Sequence, residues 1–367
     1  MASFNFVGTL RAVKDTENFK GFSVTNFDSG WMTERLRFNV IAGDNRHLVE
    51  INAGRWKNEE KNVIYTYEKV EGDNRGKPIQ VAWNDRNDPD IIDKIVGYRI
   101  FTADTDTRKH RDELKESGDA AALEASNKKR KHFIAGTDFC EYVNKIVNSD
   151  KAKDWKFRVL GNINYTYSEK TGMYYSTYEV NKIYRVEDDA TPTSEITMDF
   201  YFAENAMDSD DYEETGVAHV NGYTQYYDGS AKKNVFCPVC LAMRFGTDEE
   251  GIGKLKWYEE DVFGDMEDVE IRKIGLVCQH INGAQRVAVT YDDLSDKVKR
   301  AIDRKVITLE MAIRDAGGSM YGERIQEIRI VEPGRGYSMG SESTAYTMEN
   351  MTAKPNDTNI FDEDEEL

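Results

Sequence analysis

The chain reads as mainly β with some α (α+β): two β-rich domains, helices between and after their strands, and an acidic C-terminal tail. Three observations predict this. Segments rich in β-branched and aromatic residues, punctuated by Gly, Asn and Asp, recur from residue 3 onwards. Sustained helix-prone composition is confined to a few stretches, chiefly 104–132, 138–148 and 290–316. The last eleven residues hold six acids and no base. With 367 residues, 39% of them apolar and 11% aromatic, the chain has the length for two domains and the side chains for packed cores.

Residues 3–70 divide into FNFVGTLRAV, FKGFSVTNF, WMTERLRFNVIA and NVIYTYEKV, each with strand composition. In the third segment, alternation puts Met32, Leu36, Phe38 and Val40 on one face and Trp31, Arg35, Arg37 and Asn39 on the other. The first set suits a core; the second suits water or a ligand. The charged stretch 104–132 reads as a helical excursion or mobile loop between domains. Phe139, Val143, Ile146 and Val147 keep helical spacing, with Cys140 beside them as a core residue.

WKFRVLGNINYTYSE and MYYSTYEVNKIYRV, joined by Lys170-Thr171-Gly172, read as a long hairpin opening the second β-domain. KKNVFCPVCLAMRFG reads as a further strand in which Pro238 needs an edge or a bulge. Leu294, Val298, Ala301, Ile302, Leu309, Ala312 and Ile313 keep helical spacing up to Gly317-Gly318, and RIQEIRIVE is a last strand. The expected organisation is therefore an N-terminal β-domain over 1–135, a second β-domain with a C-terminal helix over 136–332, and a flexible acidic tail over 333–367.

The net charge of −18 is unevenly spread. Residues 1–186 carry 31 basic and 28 acidic side chains, whereas residues 187–270 carry 5 and 22. A basic groove on the first half is compatible with that distribution. No apolar run approaches the roughly 20 residues that span a bilayer. MASFNFVGTLRAV has no basic start followed by an apolar block, so no signal peptide is expected. Cys140, Cys237, Cys240 and Cys278 do not form a secreted disulfide framework in a chain this long, and a reducing cytoplasm is expected.

Single strands of nucleic acid are held by aromatic rings that stack on bases and by Lys or Arg that meet phosphates. The candidates are Trp31, Arg35, Arg37, Arg55 and Trp56 in the first block. In the second they are Arg158, Tyr174, Tyr175 and Lys182, with Tyr165, Tyr167 and Tyr184 nearby. Trp31, Arg35 and Arg37 are the strongest set, because core residues already occupy the opposite face. Cys237-Pro-Val-Cys240 is a candidate zinc site that Cys278 and His280 would complete; the alternative is buried free thiols.

Enzyme signatures such as GxxxxGK[ST], GxGxxG after a strand and HExxH are absent. The acids Asp208, Asp210, Asp211, Glu213 and Glu214 lack the glycine and final glutamate of a calcium loop and read as a solvated loop. A chain without enzymatic activity and without a resident cofactor is expected. Two alternatives stand beside the binding reading: a structural or scaffold protein, viral or otherwise, and a metal-dependent nuclease built on the acidic block.

In the strand pattern of 3–70, its echo at 155–186 and the tail IFDEDEEL, the chain resembles the single-stranded DNA-binding proteins of replication, above all the bacteriophage type. The resemblance implies OB-fold β-barrel domains and sequence-independent binding of single-stranded DNA in replication or recombination, in the cytoplasm of a host cell if viral. It also implies a disordered acidic C-terminus, here Phe361, Asp362, Glu363, Asp364, Glu365 and Glu366, which recruits replication or recombination proteins.

Overall fold

Strand-forming segments leave their edges unpaired unless the sheet closes, and here it closes twice. The computed structural model of the chain describes residues 2–264, 266, 269–288, 291, 294–315 and 319–355. The first half contributes β1 (Ser3–Ala12), β2 (Phe22–Asn26), β3 (Trp31–Ala42), β4 (Asn45–Trp56), β5 (Val63–Val70), β6 (Asp73–Ala82), β7 (Phe101–Asp104), β8 (Arg130–Phe133), β9 (Lys156–Ser168) and β10 (Met173–Arg185). The second contributes β11 (Thr193–Phe202), β12 (Met207–Asp208), β13 (Ala218–Asp228), β14 (Lys233–Met243), β15 (Arg272–Ala288), β16 (Ser319–Pro333) and β17 (Glu342–Ser343).

β1 pairs antiparallel with β3, and β3 with β4. β4 meets β10 in parallel at Glu50 and Glu179. β10 pairs antiparallel with β9, and β9 returns antiparallel to β1. These five strands form a closed ring. Its interior is filled by inward side chains, Phe6, Phe38, Val49, Phe157 and Ile183 among them. The helix Gly136–Val147, between β8 and β9, buries Phe139, Cys140, Val143 and Ile146 against the same core, as its spacing predicts.

The order repeats in the second half. β11 pairs with β13, β13 with β14 and β15 with β16, all antiparallel. β14 meets β16 in parallel at Ala242 and Arg329, and β15 pairs antiparallel with β11. The helix Glu249–Trp257 and the π-helical turn through Phe263 take the corresponding position, burying Leu255, Tyr258, Val262 and Phe263. Pro238 is tolerated in β14 because β16 reaches that strand only at Ala242.

This topology corrects the expected boundary after residue 135. β9 and β10 do not open a second domain; they close the first ring against β1 and β4. The excursion over 104–132 is likewise an insertion in the first ring, with β7 parallel to β10. Its helices Arg108–Ser117 and Ala120–Asn127 are held by buried Asp104, which takes two hydrogen bonds from Arg111 at 2.7 and 2.8 Å and one from Arg130 at 2.8 Å. A third correction concerns 333–355. That segment is docked on the second ring: Tyr346 and buried Met351 pack with Tyr201 and Phe236, and β17 pairs with β15. Residues 356–367, and with them the expected partner-binding tail, lie outside the described residues.

The two rings share an edge. Ser3–Val7 of β1 faces β9 on one side and pairs with Thr193–Thr197 of β11 on the other. From Thr9 the strand takes β3 as its neighbour instead. Gly8 is the pivot, since a Cβ there would lie 2.1 Å from the carbonyl oxygen of Ile41. Gly8→Ala is expected to destabilise the chain by about 2–4 kcal/mol in chemical denaturation, because backbone rather than a side-chain tip must give way. A loss below ~0.5 kcal/mol would mean that the strand bends there without needing glycine.

Candidate nucleic-acid interface

Residues directly opposite in an antiparallel pair share a face. Trp31 stands opposite Trp56, Thr33 opposite Gly54, Arg35 opposite Asn52 and Arg37 opposite Glu50, all on the outward face of β3 and β4. The two indoles meet edge to face at 5.2 Å between centroids. Gly54 makes room for Trp31, whose ring atoms lie 2.3 Å from where a Cβ would stand. Lys61 Nζ lies 5.7 Å from the Trp56 ring centroid. Trp31, Gly54, Trp56 and Lys61, with Tyr65 and Trp83, line a cleft of about 400 Å³.

Arg35 and Arg37 share one carboxylate. Arg37 Nε is 3.3 Å and Arg35 Nε 3.8 Å from Glu50. The Arg37 guanidinium also covers the Phe19 ring at 4.7 Å. Trp31, Trp56, Arg35 and Arg37 therefore lie together, as the alternation of 31–42 predicts. Arg55 does not join them. Neighbouring strand residues point to opposite faces, so Arg55 turns away from Trp56 and pairs at 3.6 Å with Glu34, only 3% exposed. Burial, reinforced by Glu141, raises the Glu34 carboxyl against the opposing pull of Arg55.

The second expected set is dispersed. Tyr174 packs on Tyr167 at 5.0 Å and on Tyr226 of the second ring at 6.4 Å, beside Val235 and Cys237. It joins the two halves instead of offering a free ring to a base. Tyr175 is exposed near the tip of the β9–β10 hairpin, where its hydroxyl bonds the Thr171 hydroxyl at 3.2 Å. Lys182 lies opposite Thr102, where β10 meets β7. Arg158 is exposed on β9 opposite Val7, in a cavity of about 400 Å³ also lined by Glu187 and Glu195.

On the second ring, the outward face of β13 and β14 corresponding to the Trp31–Trp56 face is partly covered. Gln225 Nε2 donates to the Tyr346 hydroxyl at 3.0 Å, and Phe236 packs edge-on against Tyr346 at 5.0 Å.

The zinc quartet does not assemble. Three residues apart on an extended strand, Cys237 and Cys240 face opposite ways. Cys237 is buried beside Tyr226, while Cys240 is exposed with its Sγ 3.9 Å from His219 Nδ1. Cys278 is buried opposite Ile196, and burial pushes its thiol up to about 12. Among the described residues, no three His, Cys, Asp or Glu side chains form a metal-ligating group.

His280 instead belongs to the seam between the rings. It stacks on Tyr178 at 5.4 Å, is hydrogen-bonded to the Tyr178 hydroxyl at 3.1 Å, and lies 4.8 Å from the ring of His47. His47 in turn is hydrogen-bonded to Ser194 Oγ at 2.7 Å and stacks on Phe6. Composition gave no hint of this pair, because β4 and β15 are distant in sequence. Lys61, Tyr65 and Trp83 were also missed, although the alternation of VIYTYEKV already put Tyr65 and Tyr67 on one face.

No protein-family model matches the chain, and no curated protein matches its sequence. Among solved structures, it is similar to the wild-type single-stranded DNA binding protein from Thermus aquaticus, with 9% identity, a TM-score of 0.32, and 77% of this chain and 85% of that chain covered. A deletion mutant of the same protein gives 11% identity, a TM-score of 0.32, and coverage of 77% and 87%. At such scores the likeness fixes neither the fold nor the function of this chain.

Burial lowers His47 to about 3, helped by His280, and burial lowers His280 to about 4. Both rings are therefore neutral when folded, and both take up protons near pH 6.5 when unfolded. Their contribution to stability is complete above that pH and is lost as the pH falls through 6.5 towards 4. Urea denaturation is expected to show stability falling by up to roughly 1.4 kcal/mol per histidine per pH unit between pH 6 and 5. A double variant H47Q/H280Q should lose most of that slope; an unchanged slope would assign it elsewhere.

Proposed function

We propose that the protein binds single-stranded DNA without sequence preference, in replication or recombination, and does no chemistry on it. One observation carries this reading: two facing tryptophans, which line a cleft, share the outward face of β3 and β4 with two arginines. Each ring also has the make-up of an OB-fold, a five-stranded barrel whose second and third strands present the oligonucleotide-binding face. In the first ring those strands are β3 and β4.

Trp31 and Trp56 stack on successive bases, which any sequence satisfies because every base has a π-face. Arg35 and Arg37 meet the phosphates. Glu50 holds them in place without ligand; Arg35, 41% exposed and 3.8 Å from Glu50, makes the kind of pair worth about 0.2–1 kcal/mol, so a phosphate displaces it at small cost. The corresponding face of the second ring is partly covered by Tyr346, which concentrates binding on the first. Residues 356–367 act as an acidic tail that recruits replication or recombination proteins and competes for the first-ring cleft when DNA is absent. A cytoplasmic setting, in a host cell if the protein is of bacteriophage type, completes the reading.

The test is fluorescence anisotropy with labelled oligo-dT and a matched duplex across a salt series, using the full chain and a chain ending at Asn356. Expected are preference for the single strand, weakening with salt as phosphate contacts require, and tighter binding by the shortened chain. Trp31→Ala and Trp56→Ala should each weaken binding roughly 5- to 100-fold. Glu50→Gln should tighten it a few-fold at low salt by releasing both arginines. No single-strand binding by either chain at low salt would remove the reading and leave an assembly role for the outward face.

A further inference from the structure

We propose that the outward face of the β5–β6 hairpin is a second stacking platform, taking unstacked bases of the same single strand as it leaves the Trp31–Trp56 cleft. This rests on the binding reading above and extends the path of the strand beyond the barrel.

The hairpin has two faces with different tasks. Ile64, Ile79 and Val81 pack with Ile92, Ile95 and Ile134, and this small core holds the hairpin. The other face carries Tyr65 opposite Gln80 and Tyr67 opposite Pro78, and buries little. Tyr65 is 73% exposed. Strand propensity accounts for tyrosines on a hairpin, but not for what surrounds them. The Arg99 guanidinium lies 4.9 Å over Tyr67 and 5.5 Å over Tyr98, and the two tyrosine rings are 6.3 Å apart. The Tyr98 hydroxyl is held by the Arg75 carbonyl at 2.6 Å. Together Tyr65, Tyr67, Pro78, Gln80 and Arg99 border a cavity of about 580 Å³.

Two further observations identify the occupant. Tyr65 borders this cavity and also the cleft that holds Trp31 and Trp56, so the two adjoin at that residue. The cations differ as well. Arg35, Arg37 and Arg55 are all paired with carboxylates, whereas among the described residues Lys61 and Arg99 touch aromatic rings and no carboxylate. Flat rings next to unneutralised cations suit a nucleobase and its phosphate.

The test compares wild type, Tyr67→Ala, Tyr67→Phe and Trp31→Ala across oligo-dT of increasing length. Wild type should gain affinity as the oligonucleotide grows past the Trp31–Trp56 cleft. Tyr67→Ala should match wild type on the shortest oligonucleotide that binds and lose roughly tenfold on the longest, while Tyr67→Phe keeps the gain. Photocrosslinking of bromodeoxyuridine-substituted strands should label the peptide containing Tyr65 and Tyr67. Wild-type affinity of Tyr67→Ala at every length, an equal loss at every length, or crosslinks confined to the Trp31 and Trp56 peptides would each overturn the platform. In all three cases a large loss in Trp31→Ala would leave the barrel reading standing. Absence of wild-type binding would remove both.

Discussion

Backbone pairing of the first strand is the constraint on which both rings depend. β1 supplies an edge to β9 along most of its length, then divides its other edge between β11 and β3. Among the described residues, no other segment of the first ring joins the two halves through a strand ladder of comparable length. A side chain at Gly8 would meet the Ile41 backbone, so the division of that edge requires a residue without a Cβ. Around this junction the buried stack of Phe6, His47, Tyr178 and His280 fills the seam, and Asn282 ties it further by donating to Asn45 Oδ1 and to the Arg46 carbonyl, both at 2.9 Å.

Two rings of one connectivity have acquired different surfaces. On the first, the outward face of the second and third ring strands is aromatic, basic and open. On the second, the corresponding face receives Tyr346 from the chain's own C-terminal segment. A formal charge of −18 therefore says little about ligand preference, because the acids lie mainly on the second half and the tail while the open face carries cations. The cations themselves are graded: Arg35, Arg37 and Arg55 on the barrel wall are restrained by Glu50 and Glu34, and Arg99 beside the hairpin is held against tyrosine rings.

Period-two alternation made the strands and their faces legible. It separated Trp31, Arg35 and Arg37 from Leu36, Phe38 and Val40 because one side of β3 is core. It could not reveal Glu34, a carboxylate on the core side whose burial depends on Arg55 from the next strand. Partner choice was illegible for a related reason. The pattern of 155–186 says strand, turn, strand, but β9 pairs with β1 about 150 residues away, and nothing in the local pattern encodes that distance. Segment 333–355 looked loose because it has few aliphatics, yet Tyr346 and Met351 suffice to dock it. The CxxC reading failed on local geometry: an extended backbone sends residues three apart to opposite sides.

The hairpin of β5 and β6 has its own small apolar core, separate from the core of the rings, and it meets the barrel at few points. Asn62 brackets the Trp56 backbone with hydrogen bonds of 2.8 and 3.0 Å, and Arg86 bonds Asp138 of the barrel helix at 2.8 Å. A unit built this way opens at a lower free energy than the structure that carries it. Its amides are expected to exchange with solvent through local openings that leave both barrels closed, and a ligand seated on it would register first in the protection of this one hairpin.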